Sequence, residues 1–497
     1  IIHKWIESMQ YQRKIKKIKS LIRGYDAADL ADALYRYMNA YVKNDLERLR
    51  RHPWLIMLIL KWNFLENRVN PESSKALSSK EFMRILDESF ELGKLVKMPT
   101  EVSHFRNMMR NVAFQQFIYQ KKLSAASVAC NHRLFSELPD NHRLKIKFKS
   151  MTSMDVGDFN KCCLAIYALF ERYKRTISIN DLSIVFDKLG RDNLQKTLDL
   201  LSIDIFQAKK QIKDNDFSTG TYSEWYEQTP FLKFPLIKHL DKYTCVNIYV
   251  FLRAIEQYIY DLLKSDDSEY FMGSFGKVFE SYLKYGLAYS ECQYLEENIL
   301  KRALPKGVGV VDFVICEQGS NTFIDAKGVE LPYLGKVSDD PKIILGKVKS
   351  SALKAIKQAN SLNGYIYEHG LESLMYKDNN YLLVVTYKDL YLGNGQVFYD
   401  SIAKDAIDGI YNGISVKAHI PLKNIYFISV ESFDYLCSVI KRTDLTFAKV
   451  IEHAKKADQD TATMKFDFQQ HLESLKIDIL RPDYLSCAIS ELTDILP

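Results

Sequence analysis

The chain has 497 residues, 47% hydrophobic and 26% charged, which excludes a mainly disordered, collagenous or disulfide-scaffold protein. At roughly 150 residues per domain this length predicts about three domains. Lys and Arg number 68 against 62 Asp and Glu, a net charge of +6, so charge alone does not make this a nucleic-acid binder and the placement of positive residues decides.

Helix dominates the first half. Leu30, Leu34, Tyr37 and Tyr41 recur at helical spacing over 27–51, a stretch that Pro53 ends. Similar patterns predict helices over 80–95, 105–134, 159–173 and 243–264, and Asn180-Asp181 reads as the cap of a helix that stops before Gly190. Strand signals are sparse here apart from 143–149, where Arg143, Lys145, Lys147 and Lys149 alternate with Leu144, Ile146 and Phe148. The polar run 264–268 marks a boundary. Beyond it, a helix is expected over 275–285, strands over 308–315 and 322–326 about a turn at 318–320, and a helix over 350–361. Buried strands follow at 381–387 and 424–430, then helix from Ser432 with a late break at Arg481-Pro482-Asp483. The expected organisation is a helical N-terminal domain (1–150), a second helical region (151–268), an α/β domain (269–435) and a helical tail (436–497).

Eight cysteines are scattered without a C-x-x-C pair, which argues against a zinc ribbon or a disulfide framework and predicts reduced thiols in the cytoplasm. The longest apolar run, 54–60, falls far short of the roughly 20 residues of a membrane span, and residues 1–24 lack the apolar core of a signal peptide. The first residue is Ile1, so a few residues are expected to precede it. Nucleotide-binding loops are not apparent. Gly335-Lys336 and Gly346-Lys347 lack the upstream Gly and the following Ser/Thr, and Gly307-Val308-Gly309 lacks a third Gly. No G-x-S-x-G elbow occurs. His132 and His142 show no ligand spacing and read as loop or surface residues.

One constellation stands out: Glu280, then Asp312 after Val310-Val311, then Asp325-Ala326-Lys327 ending an apolar strand. Asp-x-Lys alone is uninformative, since it recurs at Asp340–Lys342, a copy that contains Pro341 and reads as a loop. The first copy differs in its surroundings. A hairpin turning between Gln318 and Gly319 sets Asp312 opposite Asp325, with side-chain roots about 5 Å apart. Strand alternation puts Lys327 on the face of Asp325. Two opposed carboxylates destabilise a sheet unless a cation lies between them. Two or three carboxylates with a main-chain carbonyl such as that of Ala326 suit Mg²⁺ or Mn²⁺, and Glu280 would add a third carboxylate. Such a set suits phosphodiester hydrolysis, in which the metal activates water and Lys327 orients it or stabilises developing charge.

These residues resemble the PD-(D/E)xK, or restriction-endonuclease-like, nuclease superfamily over about residues 271–387. The resemblance implies an α-β-β-β-α-β core with its first strand near 291–296. It implies that Glu280 is the helix acid, Asp312 the first motif acid, Asp325 the second and Lys327 the motif lysine. Gln358 resembles a glutamine that some members carry on the following helix. Val311 stands where many members have Pro, and Asp325 where Glu is also common. The implied activity is metal-dependent cleavage of nucleic acid, DNA ahead of RNA, in bacterial defence, mobile-element or repair settings.

Three basic clusters are candidates to track phosphates: Arg13, Lys14, Lys16, Lys17, Lys19 and Arg23; the 143–149 stretch; and Lys336, Lys342, Lys347, Lys349, Lys354 and Lys357. The third directly follows the proposed metal site and is the strongest candidate, with a salt-dependent affinity as its signature. The helical N-terminal half is expected to bind substrate, a protein partner or a second copy. Plainer readings stand beside these. Asp312 and Asp325 as exposed strand ends, Lys327 in a surface ion pair, Glu280 and Gln358 as solvated helix residues, or a nuclease-like core that binds without turnover are all compatible with the sequence. An RNA nuclease built on the helical half would need a clustered Arg/His site, and the sequence offers none.

Overall fold

The computed structural model describes all residues except 1, 41–43, 71, 73, 97–101, 121–125, 173–174, 216–221, 479 and 495–497. Tyr41 and Tyr173, both assigned above to helices, and part of the 105–134 stretch lie outside the described residues. The fold is mixed α/β, with one four-stranded and one five-stranded sheet among the described residues. The chain divides into two compact units, Ile1–Pro99 with Asn111–Ser265 and Ala488–Pro497, and Thr100–Arg110 with Asp266–Cys487.

The first unit is organised around the helix Pro53–Glu66, whose side chains from Leu55 to Phe64 are all buried. A helix with side chains buried on every face belongs in a core, and among the described residues no helix is long and apolar enough to cross a membrane. Pro53 opens this helix at its first turn, where its missing N–H costs nothing; the stretch expected as one helix over 27–51 holds two, Ala27–Asn39 and Asp45–Arg50.

Residues 143–149 correct the sequence reading. They form the helix Arg143–Thr152, with His142 as its cap, rather than a strand. The buried positions are Leu144, Phe148 and Thr152, four apart, while Ile146 is exposed, so the two-residue alternation is a coincidence of composition. His132 also differs from expectation: it starts a π-helical turn, His132–Ser136, and is half-buried.

Four short strands missing from the sequence reading make up the first sheet: β1 (Thr176–Ser178), β2 (Ser202–Asp204), β3 (Leu236–His239) and β4 (Lys242–Cys245), in the order β1-β4-β3-β2. β4 takes the start of the expected 243–264 helix, which begins at Ile248. The cap near residue 180 is Ser178, with Asp181 completing a reciprocal capping box.

In the second unit, the long helix α1 (Ser268–Tyr289) precedes β5 (Tyr294–Glu296), β6 (Phe313–Glu317) and β7 (Ser320–Lys327). Helices α2 (Pro341–Val348) and α3 (Lys354–His369) flank a π-helical turn, Lys349–Leu353, and lead to β8 (Asn379–Thr386). β9 (Ile425–Ser429), α4 (Val430–Arg442) and α5 (Phe447–Ala457) follow. The Asp340 copy of Asp-x-Lys is therefore not a loop: Asp340 caps α2, and Pro341 takes its first position.

The sheet order is β5-β6-β7-β8-β9, antiparallel from β5 to β7 and parallel from β7 to β9. β8 is buried from Asn380 through Thr386, the continuous apolar run of a central strand covered on both faces. Phe313 pairs with Ile324 and Glu317 with Ser320, the hairpin register expected from the turn.

Candidate functional site

β7 carries the site. Its apolar residues Phe323 and Ile324 are buried, and the strand delivers Asp325, Ala326 and Lys327 at its C-terminal end. β6 begins one residue after Asp312. Freed from the ladder, the Asp312 carboxylate accepts the main-chain N–H of Ala326 through Oδ2 at 2.6 Å. The Ala326 carbonyl lies on the same strand edge as its N–H, because a strand residue directs both groups one way.

Asp325 is only 1% exposed, which removes the reading of an exposed strand end. Lys327 Nζ lies 2.6 Å from Asp325 Oδ2. Even so, neither Asp325 oxygen receives a well-directed hydrogen bond among the described residues. Burial holds the Asp325 carboxyl above the usual carboxylate range, and the Lys327 ammonium opposes this. Asp312 is raised as well, by burial first and then by the Asp325 charge, against the Ala326 N–H and Lys327. Without a cation, such a pair retains a shared proton.

Of two further side chains expected at the site, Gln358 joins it by contact and Glu280 bears on it through charge alone. Gln358, on α3, donates through Nε2 to the Val310 carbonyl at 2.6 Å, and its Oε1 lies 3.5 Å from Lys327 Nζ. The 308–312 segment reaches α3 because residue 309 is glycine: a Cβ there would sit 3.0 Å from Gln358 Cα and 3.2 Å from Ser361 Cβ. Its N–H is taken by Ser361 Oγ at 2.9 Å. Glu280, half-buried on α1, is raised by burial and then by the charges of Asp312 and Glu297. Its carboxylate forms no hydrogen bond or ion pair among the described residues. α1 approaches β7 at Gly328, where a Cβ would stand 2.9 Å from the Phe275 ring.

One contributor was not assigned to the site from sequence. The Lys354 charge reaches Asp325 and counters its raised pKa. Its position four residues before Gln358, on the same helical face, is the signal that points to it.

A buried carboxylate with unmet oxygens, a second carboxylate and a main-chain carbonyl form an oxygen-donor set that fits a hard divalent cation. Glu280 stands further off. Among the described residues, the one group of His, Cys, Asp or Glu whose ligand atoms all lie within 4.8 Å is His132, Glu137 and Glu491, in the first unit. There Glu137 is engaged by Arg133 and His132 faces Glu491 at 3.4 Å.

The basic clusters fare differently. In the first, Lys14 and Lys17 pair with Glu88, and Lys19 and Arg23 with Glu66. In the second, Lys145 pairs with Asp140 and Lys149 with Asp155. In the third, Lys336 reaches Glu330. Lys342, Lys347, Lys349, Lys354 and Lys357 are exposed, and none has an ion pair among the described residues.

Comparison with family models, with curated proteins and with solved structures finds no match to this chain.

Proposed function

We propose that this protein is a Mg²⁺- or Mn²⁺-dependent nuclease that hydrolyses phosphodiester bonds, in DNA ahead of RNA. The observation that carries this reading is the convergence of Asp312, Asp325 and Lys327 at the end of β7, with Asp325 buried and short of hydrogen bonds. The order α1-β5-β6-β7-α3-β8 supports a restriction-endonuclease-like core, and the unpaired lysines of α2 and α3 support a polyanionic substrate. A setting in bacterial defence, mobile-element biology or repair rests on the superfamily resemblance alone.

In this reading Asp312, Asp325 and the Ala326 carbonyl would hold the metal, and Glu280, which feels the Asp312 charge, would add a further oxygen donor. A bound ion would supply a water of lowered pKa and neutralise charge on the phosphate. The Ala326 N–H fixes the Asp312 carboxylate. Lys327 is carried by the same strand as Asp325 and offers an ammonium to the reacting phosphate or to the attacking water. Gln358, tied to the Val310 carbonyl, limits where that ammonium can point. Lys354 adds a second positive charge on the substrate side.

A second reading is favoured by one observation, the closed Lys327–Asp325 ion pair, which occupies the place of a metal. It is a nucleic-acid-binding scaffold without turnover. Cleavage of supercoiled plasmid, linear duplex and single strands with Mg²⁺ or Mn²⁺ separates the two. Cutting by the wild type that both Asp325→Ala and Lys327→Ala abolish, in variants still folded by circular dichroism, is the expected result. Cutting that survives both substitutions would place the chemistry elsewhere, and binding without cutting would leave the scaffold.

A further inference from the structure

At the opposite end of β7 from the carboxylates, an open groove of about 370 Å³ lies between the β6–β7 turn, the start of β8 and helix α5. Its volume is within the range of small-molecule sites, ~300–1,000 Å³. Ser320 and Lys327, the two ends of β7, are separated by about 23 Å at ~3.3 Å per residue, so this groove is distinct from the candidate metal site.

The groove collects donors. Lys449, His453 and Lys456 line it at spacings of four and three along α5, on one helical face. Lys456 is exposed and has no ion pair or side-chain hydrogen bond among the described residues. Among the described residues Lys449 donates only to the main-chain oxygen of Asp444, at 3.3 Å. The exposed Asn379 amide also lines the groove and has no partner among the described residues. His453 donates through Nε2 to Ser474 Oγ at 2.9 Å, because that hydroxyl gives its own hydrogen to the His471 carbonyl at 2.7 Å, so Nδ1 of the neutral ring is an acceptor and His453 only bounds the groove.

The nearby acids are already engaged. Glu452 accepts from Tyr381 at 2.8 Å and from Lys455 at 2.9 Å. Glu317 is turned to the start of α5, where it accepts the N–H groups of Phe447 and Ala448 at 2.9 and 3.2 Å. Among the described residues Lys449 and Lys456 form no ion pair, while Glu452, which also lines the groove and feels the Lys456 charge, is held by Tyr381 and Lys455.

We infer that this groove is a second binding site, for the phosphomonoester of a small molecule of mononucleotide size. A phosphomonoester carries about −1.5 to −2 charges and three acceptor oxygens at neutral pH, which the two ammonium groups of Lys449 and Lys456 and the Asn379 amide can meet. The small extent of the groove, about 370 Å³, favours a small molecule over a polymer, whose backbone needs an extended basic track.

The test is isothermal titration calorimetry of the full chain at low salt with inorganic phosphate, adenosine 5′-monophosphate and a short single-stranded oligonucleotide. The expected result is saturable binding of one nucleotide per chain, weakened at least tenfold by Lys449→Glu and by Lys456→Glu and unchanged by Lys306→Glu, an exposed lysine outside both proposed sites. Lys456→Ala serves as the milder variant if the charge reversals disturb folding. Phosphate binding as tightly as the nucleotide would show that the phosphoryl group alone is recognised, still within the proposal. No saturable binding, an equal loss in Lys306→Glu, or binding of the oligonucleotide alone would overturn it. None of these outcomes depends on whether the protein cleaves nucleic acid.

Discussion

Asp312 and Asp325 belong to one electrostatic unit although they lie 13 positions apart: the hairpin opposes them, burial raises both, and the Ala326 N–H, the Lys327 ammonium and the Lys354 charge work against that rise. Acids whose folded pKa is raised keep protons that the unfolded chain has already lost. Their contribution is therefore fully present at low pH and declines as pH climbs from the ordinary carboxylate range towards the folded pKa. In EDTA the protein should lose stability across that window, and Asp325→Asn should recover roughly 1–3 kcal/mol at pH 8. Mn²⁺ or Mg²⁺ should stabilise the wild type at pH 8 and leave Asp325→Asn unmoved. Thermal unfolding with and without metal measures this, and equal metal responses in the two proteins would count against the pair as a cation site.

The main-chain segment before Asp312 is positioned by contact with α3. Gly309→Ala would set a methyl 3.0 Å from the main chain at Gln358, which cannot retreat as a side chain can. Overpacking of this kind costs about 1–3 kcal/mol, and the displaced segment would carry Asp312 and the Val310 carbonyl with it. The expected outcome is a lowered Tm together with a fall in cleavage larger than the stability loss explains. A fall in Tm with unaltered cleavage would show that Asp312 tolerates the shift.

Lysine placement makes a separate forecast about binding. For B-DNA, log K falls with log salt by about 0.9 per phosphate neutralised. Single Lys347→Ala, Lys354→Ala and Lys357→Ala variants should each lower the magnitude of that slope by about 1. Lys14→Ala and Lys145→Ala, whose charges already face Glu88 and Asp140, should leave it unaltered. Fluorescence anisotropy with a duplex in EDTA, across a salt series, reads the slopes without any cleavage.

The contrast among these clusters shows what could be read from sequence and what could not. The hairpin register was legible because a turn at Gln318-Gly319 fixes which residues face each other, and a slip of one residue would turn the buried set outward. Charge compensation was not legible: Lys14 finds Glu88 and Arg23 finds Glu66, across 74 and 43 residues. The 143–149 stretch misled because alternating charge mimics a strand, while Leu144 and Phe148 satisfy a helix equally well. β1 and β2 have three residues each, too few for a period to show. Lys354 was visible as a basic residue, but its reach towards Asp325 depends on how α3 lies across β7.

Asp434, on α4, is a second buried carboxylate in this unit, 3% exposed, and it ties down the helix that carries Glu280. It accepts from Tyr282 at 2.8 Å, two residues beyond Glu280 on α1, and from Tyr484 at 2.6 Å. Burial pushes its carboxyl up to about 7, against the two tyrosine hydroxyls that favour the charged form. Its stabilising contribution should therefore be present below the ordinary carboxylate pKa and be lost progressively as pH rises to about 7. Asp434→Asn keeps an acceptor for one tyrosine and removes the titration. It should fold normally and flatten the decline in stability between about pH 4 and 8 by on the order of 2–4 kcal/mol. Asp434→Ala strands both hydroxyls in the core and should cost about 1–3 kcal/mol for each at every pH. Because α1 also presents Glu280, the alanine variant should lose cleavage before it loses its fold, while the asparagine variant should retain it. Denaturant unfolding at several pH values, paired with the plasmid assay, reads both effects. An Asp434→Asn protein with the wild-type pH profile would show that this carboxylate is ionised in the native state throughout.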